Sequence, residues 1–392
     1  MITTRRSFLR ASTGVPVFWR AALEAAARTD SSGTVLVVLQ LAGGNDGLNT
    51  VVPYEDDEYG RHRSTLRLTG RQVHKIGTSL GFHPEMRGFA RLFQEGRMAV
   101  LQGIGYPEMH RDHNVGMRSW QTGSVLPDEP TGWLGRVADR AADPDAGNVP
   151  AVFVGSIPQP LAIHARRSVV PSIGEAKDWT VRGASFETTP AAGTDLLLTF
   201  AARTTAAAWK NAGRMSDVLR ADRGKSYPPY NLAQSLRTVA QLMRAELGIR
   251  VYLTEQGGVS PGEFDNHANQ AVNHAVSLRE LSDSVAAFCD DLAQDKLLDR
   301  VLLMTYSEFG RTLSENGRHG TGHGAAAPVF LAGGKLKGGL IGAHPSLTDL
   351  DNDALKPHTD FRAVYATILE RWLGIESTPI LGRRFPLLDI TA

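Results

Sequence analysis

TVLVVLQLAGGNDG, residues 34–47, is an apolar run that stops abruptly in glycines, an amide and an acid. Valines and leucines without polar alternation predict a strand covered on both faces, as in a parallel sheet rather than a one-sided antiparallel one. In an open parallel sheet, ligands bind in the crevice beyond the carboxyl ends of the strands. Asp46 therefore stands where chemistry is expected, although a lone Asp after a strand is more often a turn or helix-cap residue.

The same rhythm recurs outward from this stretch. Residues 83–96 (HPEMRGFARLFQEG) have helical spacing and a closing glycine, and 98–104 reads as a second strand. A loop over 105–111 leads to a helix holding Met117, Trp120 and Gln121; a further helix covers 133–142 and a third strand 149–154. Beyond these come helix 232–247, strand 249–254, a long helix over 268–296, strand 301–306, a strand or hairpin from 328–332, and an amphipathic terminal helix over 360–373. Alternating strands and helices predict α/β architecture: a doubly wound, mostly parallel sheet with helices on both faces. Residues 156–230, rich in Pro, Thr, Arg and Ala, break the rhythm and read as an inserted cap.

The chain has 392 residues, 42% of them hydrophobic, enough for a sizeable core. Its 42 basic and 41 acidic side chains leave a net charge of +1, which argues against a bulk polyanion partner. No basic run with interleaved aromatics points to nucleic acid. No uninterrupted apolar stretch reaches the roughly 18 residues of a transmembrane segment. Cys289 is the sole cysteine, so an internal disulfide and a cysteine metal cage are excluded; its setting, SVAAFCDDL, reads as the buried face of a helix. Near the start, TRRSFLR (4–10) matches a twin-arginine export signal, and we expect residues 1–30 to be that leader, with the mature protein periplasmic or otherwise exported.

Side chains that bind metals or activate water recur at the expected strand ends. Asn45 and Asp46 follow the first strand, Asp265 and His267 (FDNH) follow the strand ending near 254, and Glu308 and Arg311 (SEFGR) follow the strand over 301–306. His319 and His323 lie in the glycine-rich loop GRHGTGHG before residue 328, where small residues permit close backbone approach. Taken singly, Glu308 reads as a surface partner of Arg311, His267 as a helix cap, His274 as a helix-surface residue and His319 as a solvated loop residue. Taken together, three carboxylates and at least two imidazoles converge if the strands are parallel neighbours. Clustered carboxylates raise one another's pKa values unless a cation holds them, and mixed oxygen and imidazole donors suit zinc, manganese or iron better than calcium alone.

The motifs LAGGNDGLNTVVPY, GFHPEM, Trp120-Gln121-Thr122-Gly123, FDNHANQ, YSEFGRT with ENG, GTGHG and TDFRAVYATILERWLG together resemble the Tat-exported bacterial domain-of-unknown-function family fifteen-oh-one, placed in the alkaline phosphatase and sulfatase superfamily. The resemblance covers nearly the whole chain from residue 35 and implies an alkaline phosphatase-like domain over 31–392. It implies metal-dependent hydrolysis of phosphate or sulfate esters, with Asp46 as the first-strand metal ligand, Asp265 and His267 as ligands of a metal site, and His323 as the late metal histidine before an edge strand. Glu308 stands where relatives carry the Asp of an Asp-His pair, and Phe309 replaces that pair's His. Gly322 stands where relatives often carry Asp. Counting back from Thr122-Gly123 puts His113, preceded by Asp112, at the nucleophile position; we favour His113 as a metal ligand over a phosphorylated His. Ser119 carries little weight as nucleophile. Arg118 and Arg311 are candidates to steady oxyanion charge, against surface salt bridges as the plainer reading.

The resulting expectation is an exported hydrolase that holds one or two divalent ions, zinc first and manganese, iron or calcium as alternatives, on Asp46, Asp265, His267, Glu308, His323 and His113. Its substrate would be a small-molecule or glycan ester attacked by metal-bound water. The alternative is a noncatalytic exported protein that keeps the metal while binding a glycan or partner protein.

Overall fold

The computed structural model describes residues 33–141, 149–174, 226–257 and 263–390. The expected leader over 1–30 and residues 175–225 of the expected cap lie outside the described residues.

Among these residues, the strands of the central sheet are, in chain order, β1 (Val35–Leu41), β2 (Met98–Gly105), β3 (Ala151–Val154), β4 (Ser172–Ile173), β5 (Val251–Gln256) and β6 (Val301–Ser307). A smaller sheet contributes β7 (Arg311–Glu315) and β8 (Thr321–His323), after which the central sheet resumes with β9 (Ala327–Gly333), β10 (Gly339–Ile341) and β11 (Thr359–Asp360). The order across the central sheet is β10-β2-β9-β6-β1-β5-β3-β4, with β11 also on β2. Helices α1 (Asp57–His62), α2 (Arg87–Gln94), α3 (His113–Thr122), α4 (Trp133–Ala141), α5 (Asn231–Arg244), α6 (Gln270–Gln294) and α7 (Phe361–Thr367) connect or cover it.

β1 is buried at every position, and its residues alternate between two cores. Val35, Val37, Leu39 and Leu41 pack in one core with Phe89 of α2, Leu236 of α5 and Leu281 and Val285 of α6. Leu36 and Val38 pack in the other with Trp120 of α3, Val137 of α4 and Val364 of α7. Two apolar environments explain why the strand shows no polar alternation.

β1 lies parallel between β5 and β6, with Leu41 level with both Gln256 and Ser307. The segments beginning at 42, 257 and 308 therefore leave the sheet at one edge. The sheet is mixed, because β9 runs antiparallel to both neighbours, β6 and β2. Read as a strand or hairpin, and by the family resemblance as an edge strand, β9 is an interior strand; Pro328 is accommodated because it stands near the strand's start, where the register of β9 against β2 shifts between Ala327 and Val329. The terminal helix also departs from expectation. α7 continues through a wider-turned segment, Ile368–Trp372, and is buried almost all round rather than along one stripe. Cys289 is buried in α6, as its apolar setting implies.

His274 corrects the expectation of a surface residue on its helix. It is 1% exposed, with Nε2 2.9 Å from Asn45 Oδ1, because the first turns of α6 run under the loop that follows β1. The buried His83 ring lies 6.1 Å from it, centroid to centroid. Burial pushes His274 down to about 3 and His83 to about 4, against the pull of nearby acids. An imidazole whose folded pKa lies below the unfolded value of about 6.5 favours folding above that pH and loses its contribution as acid protonates the unfolded chain first. Between pH 8 and pH 5 each of the two should cost about 2 kcal/mol of stability. Urea melts at these two pH values should show the loss, and His274→Gln should remove about half of it. A pH dependence unaltered by that substitution would contradict the account.

Candidate metal centre

His113 opens α3. The Asp112 side chain caps this helix by accepting from the amides of Asn114 and Val115, which fixes the first turn and the direction in which His113 leaves it. Asp265 and His267 lie on the loop between β5 and α6, and His323 ends β8, directly opposite Arg311 in the antiparallel β7–β8 pair. These four side chains meet. Donor atoms of His113, Asp265 and His323 all lie within 4.8 Å of one another. His267 Nε2 is 2.9 Å from His323 Nε2 and 2.9 Å from Asp265 Oδ1, and His113 Nε2 is 3.5 Å from Asp265 Oδ2.

Two glycines make this meeting possible. Gly43 has φ +113° and a Cβ there would lie 2.5 Å from the Asp265 amide nitrogen; a Cβ on Gly320 would lie 2.2 Å from the His267 carbonyl carbon. The bare loop around His323 thus admits the protein's own backbone beside the site.

The far nitrogen of two of the imidazoles explains where the near one points. His113 Nδ1 is 2.8 Å from Glu308 Oε1, and His323 Nδ1 is 2.8 Å from the Arg111 carbonyl oxygen. His267 bonds the Thr321 backbone. For His113 and His323, acceptors on Nδ1 put a proton there and leave Nε2 facing the cluster, the arrangement found for metal-bound histidines. The aromatic ring of Phe309, fully buried, lies 4.9 Å from the His113 ring and 4.7 Å from that of His323, and serves as a wall for both.

His267 Nε2 and His323 Nε2, 2.9 Å apart with the Asp265 carboxylate beside them, share a proton in a hydrogen bond when no ion is bound, and an imidazole can give up such a proton to a cation that takes its place. Imidazole nitrogens sharing one tetrahedral zinc would stand about 3.3 Å apart, given Zn–N bonds of about 2.0–2.1 Å. The residues present therefore fit a divalent ion. Their ionisation agrees. For Asp265, burial alone would raise the carboxyl, but the hydrogen bond and charge of Arg311 hold it below the usual range. Burial lowers His267, keeping it neutral, and the Glu308 hydrogen bond raises His113 in the ion-free state.

Three expected site residues stand elsewhere. Glu308, 2% exposed, lies behind His113; it accepts from the Gly43 amide as well as facing Nδ1, and is neither at the surface nor paired with Arg311. Arg311 is also buried. Its guanidinium donates to the carbonyls of Gly43, Gly44, Phe264 and Thr321 and to Asp265 Oδ1 at 2.6 Å, which leaves no free edge for a substrate oxyanion. Asp46 is turned to a cation of the chain: Arg63 binds both of its carboxylate oxygens and Gln270 binds one. Of the minor candidates, Arg118 is spent on the carbonyls of Pro127 and Glu129, the Ser119 hydroxyl on that of Val115, and His319 is exposed beside Thr65. Arg63, Gln270 and the Arg111 carbonyl were not anticipated. A basic residue closing a short charged helix reads as solvated, and a backbone carbonyl leaves no trace in a sequence.

The chain belongs to the family described as Protein of unknown function (DUF1501), whose profile matches residues 99–387. No curated protein sequence matches it. Similar solved structures include the C-terminal periplasmic domain of EcEptC from Escherichia coli in complex with Zn, at 10% identity and TM-score 0.42 over 88% of this chain and 84% of that one. The PsFucS1 sulfatase from Pseudoalteromonas sp. is similar at 12% identity and TM-score 0.41, over 94% of this chain and 73% of that one. The phosphonate monoester hydrolase SpPMH from Silicibacter pomeroyi is similar at 11% identity and TM-score 0.38, over 90% and 77%. Likenesses this loose carry no residue roles across.

If Glu308 orients His113, Glu308→Gln should weaken zinc binding about 10- to 100-fold, the usual effect of removing a partner behind a metal ligand. Competition against a chromogenic chelator reads this directly. Unchanged affinity would show that Glu308 serves only the Gly43 amide and the Ser307 hydroxyl.

Proposed function

We propose that the chain is an exported, metal-dependent hydrolase of phosphate or sulfate esters, with water as the nucleophile. The observation that carries the reading is the convergence of the Nε2 atoms of His113, His267 and His323 with the Asp265 carboxylate at the sheet edge where the strands end. Side chains of these four are between 23% and 36% exposed, so a ligand from solvent can reach them, while Glu308 and Arg311 beneath are 2% and 1% exposed. A bound divalent ion supplies Lewis acidity and lowers the pKa of water.

The chain's own residues do the rest. Glu308 and the Arg111 carbonyl hold His113 and His323 in the required tautomer and orientation. Arg311 keeps Asp265 ionised, and Phe309 limits rotation of two rings. No hydroxyl among the candidates is presented to the centre, since Ser119 is spent on Val115, which supports water in that role.

One observation favours a second reading. With His267 counted, the centre offers four protein donors, and four-coordinate sites closed by protein ligands are structural rather than catalytic. The chain would then be a noncatalytic metal-containing protein that binds a glycan or partner.

Protein purified without added metal should contain zinc or a comparable ion by elemental analysis and should cleave a member of a panel of chromogenic phosphate and sulfate esters. Asp265→Asn should abolish both. Bound ion with no turnover on any ester selects the second reading, and full activity in ion-free Asp265→Asn removes the first. Export rests on the twin arginines of residues 4–10, and fractionation of expressing cells should recover the protein outside the cytoplasm. Cytoplasmic recovery with an uncut N-terminus would refute that part.

A further inference from the structure

Asp46 is the carboxylate delivered to the end of β1, and its charge is already balanced. The Arg63 side chain, which follows α1, is 0% exposed, and that of Asp46 is 2% exposed. Arg63 Nε donates to the Leu313 carbonyl at 2.9 Å. Nη1 donates to Asn49 Oδ1 at 2.7 Å and to Asp46 Oδ2, and Nη2 donates to Asp46 Oδ1 at 2.9 Å and to the Thr312 carbonyl at 2.9 Å. Every N–H of the guanidinium therefore has an acceptor. The carboxylate is equally full: it accepts from both Nη atoms, from the Leu48 amide and from Gln270 Nε2, which uses the four lone-pair positions a carboxylate offers.

A metal ion at Asp46 would have to displace that guanidinium and leave it buried and unpaired, which is far costlier than leaving the pair intact. We propose that Arg63 is a permanent, protein-supplied cation in the place of a second metal ion, so that the site takes one divalent ion per chain and Asp46 is not among its ligands. This rests on the metal centre proposed above. It also narrows what that centre can do: a one-ion site lacks the paired-ion clamp that holds attacking and leaving oxygens on separate metals.

The test is a count of zinc per chain on the full-length protein, by equilibrium dialysis against buffered zinc followed by elemental analysis. One ion is expected in the wild type. Asp46→Asn should still bind one, with a lower melting temperature, whereas Asp265→Asn should bind none. Two ions in the wild type, or loss of the ion on Asp46→Asn with an unchanged circular dichroism spectrum, overturns the inference and leaves the metal centre standing. An ion-free wild type overturns the metal centre itself, and this inference with it. The wild-type count decides even if Asp46→Asn fails to fold.

Discussion

The guanidinium of Arg311 is the constraint on which the rest of the site depends. A buried arginine must satisfy its donors or carry a large desolvation penalty, and this one does so on four backbone carbonyls and a carboxylate drawn from three separate segments. Those segments are the loop after β1, the loop before α6 and the start of β8. Their mutual position is therefore set by one side chain at the first residue of β7. Asp265 is aimed by the same bond that keeps it ionised, and His323 is aimed by its place opposite Arg311 in the β7–β8 ladder.

Charge at the end of the sheet is settled in layers. At the bottom, Asp46 and Arg63 neutralise each other with every hydrogen-bonding position used. Above them Arg311 offsets Asp265, and Glu308 faces the imidazole of His113. What the protein leaves without a fixed cation of its own is a set of inward-facing imidazoles, His267 and His323 above all, whose Nε2 atoms meet at 2.9 Å. Nitrogen donors without a counter-charge call for a cation, whereas a crowd of unpaired carboxylates, which the sequence suggests, would call for two. The difference between those pictures lies in two arginines.

Much of the fold was legible for a simple reason. β1, β5 and β6 are buried on both faces, so hydrophobicity alone marks them, and their parallel register brings the segments after 41, 256 and 307 to one edge as the alternation of strands and helices implies. The place of β9 was not legible, because an antiparallel strand inside a parallel sheet has the same apolar composition as a parallel one. Within the site, the residues that meet were visible as types at strand ends: Asp265, His267, His323 and, from the count back from Thr122-Gly123, His113. Their partners were not. Whether Asp46 faces a metal or an arginine depends on Arg63, seventeen positions away on the far side of a charged helix, and nothing in the intervening composition distinguishes a solvated arginine from a buried one. His274 shows the same limit, since three residues separate it from the helix start at Gln270 and its neighbours Val272 and Val276 are exposed while it is not.

The donors come from distant parts of the chain, and this has a thermodynamic consequence. His113 begins a helix of the first half, Asp265 and His267 sit on a loop, and His323 ends a short strand of the smaller sheet. An ion bound by all of them closes long loops that the unfolded chain would otherwise sample, and because the unfolded chain offers no assembled site, its binding free energy adds to folding free energy. Arg63 and Arg311 perform a similar cross-linking with no exchangeable component. The region below the centre is thus held by fixed cations whether or not an ion is present. A fold stabilised in this way can assemble its metal site before the metal arrives, with the imidazoles already turned inward by Glu308 and the Arg111 carbonyl.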